Sequence, residues 1–71
     1  MINHIKEYRK RDNLTQEELA NKLGVTRQTI IAIENNKYNP TLELAMRLSK
    51  YLDVTVEKLF ILPQGEPLGK G

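Results

Sequence analysis

The chain has 71 residues but no cysteine, no tryptophan, one histidine and one phenylalanine. Without cysteine, neither a disulfide framework nor a thiolate metal site is available. His4 stands alone near the start of the chain, so a histidine-based nucleophile or a His/Cys metal site has almost nothing to build on. The phosphate-cradling patterns GxxxxGK[ST] and GxGxxG do not occur. No apolar run reaches the roughly 18 residues that a membrane span needs. Polar Asn3 and His4 follow close behind Met1, which is not how a secretory signal begins. These absences set the first expectations: a soluble, cytoplasmic, non-enzymatic protein with no metal, cofactor, membrane or small-molecule ligand. Charge of one sign is lacking too. Eleven Lys and Arg against nine Asp and Glu give +2 and an isoelectric point near 9.0, which permits a polyanionic partner without demanding one.

Glycine and proline are scarce until the end. The last nine residues, PQGEPLGKG, hold three of the four glycines and two of the three prolines. They have little to bury, so residues 63–71 are expected to be a flexible tail after a single domain over 1–62. A chain this short buries only about 60% of its unfolded surface, so helix packing has to sustain a small core.

What is present is a set of helix starts. Thr15, Thr26, Thr41 and Thr55 each precede a helical-looking run, and a threonine hydroxyl can satisfy an otherwise orphan backbone N–H there. Thr15-Gln16-Glu17-Glu18 has the spacing of a capping box, with Glu18 able to reach back. The pattern predicts five short helices, about 2–12, 16–23, 27–35, 42–52 and 56–61, and no strands. Gly24 and Asn36 are placed to take the left-handed conformation that ends a helix, and Pro40 stops continuation before the fourth helix. Apolar spacing turns Leu19, Ala20 and Leu23 inward on the second helix, and Ile30 and Ile33 on the third. On the fourth it turns Leu42, Ala45, Leu48, Ser49 and Leu52 inward. Ile5, Leu14, Val25, Val54, Leu59 and Phe60 complete one expected core.

Residues 16–35 have the organisation of a helix-turn-helix: a short helix, a tight turn containing Gly24, and a second helix beginning under Thr26. Ala20 is small where the two helices would cross. The stretch LTQEELANKLGVTRQTIIAIENNKYNPTLELAMRLSKYLDVTVEKLF resembles the phage Cro/repressor family, the XRE-type helix-turn-helix proteins, and the likeness extends from about Ile2 to Phe60. The resemblance implies an all-α, compact five-helix bundle of the lambda-repressor-like kind, a bacterial or phage source, and a third helix that enters the major groove. Two positions depart from the usual pattern: Asn36, where the family often has glycine, and Ile31, where it often has a small polar residue.

Residue chemistry agrees with that placement. With Ile30 and Ile33 inward, Gln28, Ala32 and Asn35 lie on the opposite face and Ile31 at its edge, while Arg27 lies on the first turn, where it can reach past the helix end. Arg can pair bidentately with guanine and Gln with adenine, and apolar side chains can pack on a thymine methyl. Arg27 and Gln28 are therefore the expected base readers in double-stranded DNA, with Thr26, Thr29, Ile31 and Ala32 in support. Helix starts and polar loops suit phosphate, which points to Thr15, Gln16, Asn35 and Lys37. The family resemblance implies that Gln16 contacts phosphate and can brace Gln28. It also implies that a basic residue of the first helix, here Arg9, pairs with Glu34, whose inward-facing carboxylate needs a partner. Small proteins of this kind commonly dimerise, and Leu44, Tyr51, Ile61 and Leu62 are the candidate homodimer contacts. The expected function is a sequence-specific transcriptional regulator, most simply a repressor. The alternative is a protein-interaction module, such as an antitoxin, in which DNA binding is secondary.

Overall fold

The computed structural model describes residues 1–62, so the tail expected over 63–71 lies outside the described residues. Five helices follow one another: α1 (Ile5–Arg11), α2 (Gln16–Leu23), α3 (Arg27–Glu34), α4 (Leu42–Leu52) and α5 (Val56–Leu59). The four threonines cap α2, α3, α4 and α5, each hydroxyl accepting the backbone N–H three residues on. Thr15 and Glu18 complete a reciprocal capping box. Gly24 ends α2 at φ 72°, and Asn36 turns left-handed after α3 at φ 59°.

The expectation of no strands is corrected. Ile2–Asn3 (β1) and Phe60–Ile61 (β2) form a two-stranded antiparallel ribbon, with Ile2 opposite Ile61 and Asn3 opposite Phe60. It also shortens two predicted helices, since α1 begins only at Ile5 and α5 stops at Leu59. Strands of two residues are too short for alternation to declare them. Their partners are 58 or so positions apart in sequence, roughly the whole length of the domain, and pairing at that distance leaves no local signature.

Ile5, Leu19, Ala20, Leu23, Ile30, Ile33, Leu44, Leu48, Leu52 and Leu59 form the buried cluster, and Tyr8, Leu14, Val25, Val54 and Phe60 pack against it. Two residues of α4 exchange their expected roles. Leu42 is 73% exposed and Leu44 only 7% exposed. At about 100° per residue, Leu44, Ala45, Leu48 and Leu52 form the tighter stripe, and Leu42 lies well off its centre. Leu44 is thus a core residue, not a homodimer contact.

Three arginines join the ends of elements. Arg9 donates through Nη1 to Leu14 O (2.8 Å), Arg11 through Nη2 to Leu52 O (2.7 Å), and Arg47 through Nη2 to Leu23 O (2.6 Å). Carbonyls in the last turn of a helix have no partner within it, so Arg11 completes the end of α4 and Arg47 the end of α2. Arg11 also lies over the Tyr8 ring, 5.0 Å from its centroid, and its hydrogen bond holds the Asp12 carboxyl below the usual carboxylate range. The Ser49 hydroxyl donates to Val54 O across the α4–α5 turn, where Asp53 is left-handed at φ 58°.

Candidate nucleic-acid interface

The site is built where the starts of α2 and α3 come together. Thr26 is the N-cap of α3, its hydroxyl accepting Thr29 N–H at 3.2 Å and lying 2.9 Å from the Thr29 hydroxyl. That fixes the first turn, which carries Arg27 and Gln28. Both are exposed, while Ile30 and Ile33 on the same helix are fully buried. Thr29, Ile31 and Ala32 are half-buried, so they offer edges rather than whole side chains to a partner. An open cleft lined by Arg9, Thr15, Gln16, Glu17 and Arg27 connects the start of α2 to that of α3. It brings Arg27 together with two of the residues expected at phosphate.

Behind the cleft, Arg9 and Glu34 form a two-pronged ion pair. Nε lies 2.7 Å from Oε2 and Nη2 lies 3.2 Å from Oε1, with side chains 9% and 3% exposed. Gln16 Nε2 also donates to Glu34 Oε1, at 3.1 Å. The brace from Gln16 therefore runs to Glu34 and not to Gln28 as the resemblance implies. One carboxylate thereby ties α1, α2 and α3 together, and no buried side-chain nitrogen or oxygen among the described residues lacks a partner.

The other end of α3 closes in a left-handed turn. Asn36 N–H donates to Ile33 O (3.0 Å) and Lys37 N–H to Ala32 O (2.9 Å), the paired bonds of a Schellman ending. Asn35 and Lys37 are exposed on this turn. Asn3, which sequence reasoning passed over, reaches it from β1. Of the expected homodimer contacts, Tyr51, Ile61 and Leu62 are exposed, and Ile61 and Leu62 adjoin exposed Met1 and Ile2 at the terminal ribbon.

Among the described residues, no group of three or more metal-ligating side chains is assembled, and no helix is long and apolar enough to cross a membrane. The fold and this arrangement define a helix-turn-helix protein. Residues 5–59 match the helix-turn-helix family, and the chain belongs to it, in the Cro/repressor (XRE) branch that its motifs resemble. It is 54% identical over 66 residues to an HTH-type transcriptional regulator of Methanocaldococcus jannaschii, covering 93% of this chain and all of that one. It is 44% identical over 70 residues to an HTH-type transcriptional regulator of Archaeoglobus fulgidus, covering 99% of this chain and all of that one. Among solved structures, the N-terminal DNA-binding domain of SinR from Bacillus subtilis is similar, with a TM-score of 0.72 and 36% identity. The likeness covers 87% of this chain and 90% of that domain.

Proposed function

We infer that this chain is a sequence-specific, DNA-binding transcriptional regulator of the cytoplasm that reads the major groove with α3, and that it acts by binding rather than by catalysis. The observation that carries the reading is the first turn of α3. Arg27 and Gln28 stand free on a helix start held by a threonine cap, behind a glycine turn, in a helix-turn-helix frame. The DNA-binding domain of SinR and the HTH-type regulators support it by likeness. Arg27 and Gln28 are the principal base readers, and Thr29, Ile31 and Ala32 flank them. Thr26 acts chiefly through its cap. Thr15, Gln16, Asn35 and Lys37 serve the phosphates. Repression by covering an operator is the simplest consequence of such binding, and a homodimer through Tyr51, Ile61 and Leu62 would place two reading helices on two half-sites.

A second reading has its own observation: Leu42 and Met46 stand exposed one turn apart on α4, an apolar surface suited to a protein partner. Duplex titrations over a range of salt separate the two. A regulator binds duplex DNA and loses affinity steeply as salt rises, because each neutralised phosphate releases counterions. Absence of duplex affinity at low salt, with stoichiometric capture of a protein partner, would overturn the regulator.

A further inference from the structure

Asn3 lies in a two-residue strand, yet both polar atoms of its amide are bonded to other elements. Oδ1 accepts Ile5 N–H at 3.1 Å, the first residue of α1, whose N-cap His4 makes no side-chain capping bond. Nδ2 donates to Ile33 O at 2.8 Å and to Asn36 Oδ1 at 3.0 Å. The partners fix the orientation of the amide, since an N–H must meet Oδ1 and a carbonyl must meet Nδ2. One side chain thus meets an N–H at a helix start, where such groups have no partner within the helix, and adds a second donor to a carbonyl at a helix end.

The end it satisfies is the one that matters for binding. Ile33 O already receives Asn36 N–H within the Schellman turn, and Asn36 holds φ 59° without being glycine. Asn3 therefore clamps both the carbonyl and the side chain that define this turn, and the turn carries exposed Asn35 and Lys37. Among the described residues, the backbone of β1 pairs with β2, and the adjoining His4 N–H donates to Leu59 O at 2.9 Å. A ribbon this short has little stability of its own, so the Asn3 bonds tie it to α3 as much as they tie α3 to it.

We propose that Asn3 is a positioning residue for DNA: through Ile33 O and Asn36 it holds the turn after α3 so that Lys37 meets the phosphate backbone. The proposal rests on the DNA-binding reading. Because phosphate contacts ignore sequence, the test needs no operator. Wild type, Asn3→Ser, Lys37→Ala and the double variant are titrated against short fluorescein-labelled duplexes of mixed sequence at several salt concentrations. Serine can still cap Ile5 N–H but is too short to reach Ile33 O. Asn3→Ser is expected to stay helical, to bind roughly three- to tenfold more weakly, and to lower the salt slope by up to about one. The double variant should bind no more weakly than Lys37→Ala, and the Lys37 amide should exchange faster in free Asn3→Ser. A merely structural role would not move the salt slope. A folded Asn3→Ser with wild-type affinity and slope, or with an unchanged Lys37 exchange rate, would overturn the proposal alone. Wild-type protein without duplex affinity would overturn the DNA-binding reading itself. Should Asn3→Ser fail to fold, Asn36→Gly keeps the left-handed turn and the Asn3–Ile33 bond but removes the Asn3–Asn36 bond: weaker binding with a lower salt slope is expected, and wild-type affinity and slope would overturn the role given to Asn36.

Discussion

Arg9 and Glu34 place a charge of each sign inside a core that has few atoms to spare for them. The pair is tolerated because its remaining hydrogen-bonding capacity is used: Arg9 Nη1 reaches Leu14 O and Gln16 reaches Glu34. Removing one partner leaves the other charge buried, which typically costs about 3–5 kcal/mol. That is a large part of the total stability of any small domain, generally about 5–15 kcal/mol. Arg9→Ala should therefore lower the melting temperature by more than about 10 °C. Arg9→Met/Glu34→Leu should recover much of the loss, since two apolar side chains leave no charge behind. Circular-dichroism melts check both, and an unchanged melting temperature for Arg9→Ala would show that the pair contributes nothing. Spacing alone showed that Glu34, on the face of Ile30 and Ile33, needs a partner, and the family resemblance is what implied Arg9. Arg11 and Arg47 were not legible. Their partners are carbonyls of Leu52 and Leu23, and a backbone carbonyl looks the same under every residue name.

At the scale of elements, the helices were readable from their ends. Thr15, Thr26, Thr41 and Thr55 mark the starts of α2 to α5 because the capping hydroxyl is chemically specific and local. Gly24 marks a stop because φ 72° is a conformation that L side chains rarely adopt. A Cβ added at Gly24 would make an ordinary contact with Arg47 Nη2 at 3.8 Å and no clash. The penalty for Gly24→Ala is thus conformational and not steric, about 1–2 kcal/mol, and should appear as a lower urea midpoint with an unchanged slope. No shift would contradict the left-handed turn, and a loss far above that range would mean that the turn also packs tightly. Asn13 and Asp53 adopt the same region, at φ 58° each, and went unread. Side chains that merely tolerate that region announce it less clearly than glycine does. The terminal ribbon and the true stripe of α4 were missed for different reasons. The ribbon depends on contacts at long range. On α4, leucines stand at Leu42, Leu44, Leu48 and Leu52, so the helical period fits two overlapping stripes and only packing decides between them.

The molecule as a whole presents a polar cleft and separate exposed apolar patches. Thr15, Gln16, Glu17 and Arg27 line the cleft between the starts of α2 and α3. Met1, Ile2, Ile61 and Leu62 stand exposed together at the terminal ribbon. Paired reading helices of this class engage half-sites about 34–36 Å apart, one turn of the duplex. The central claim is that Arg27 and Gln28 read bases from the first turn of α3. Selection of bound sequences from a random duplex pool, with wild type beside Arg27→Ala/Gln28→Ala, tests it most directly. Wild type should enrich a short motif, repeated as an inverted pair if the dimer forms. The variant should lose it while keeping salt-sensitive binding to DNA in general. Enrichment of the same motif by both proteins would contradict the claim.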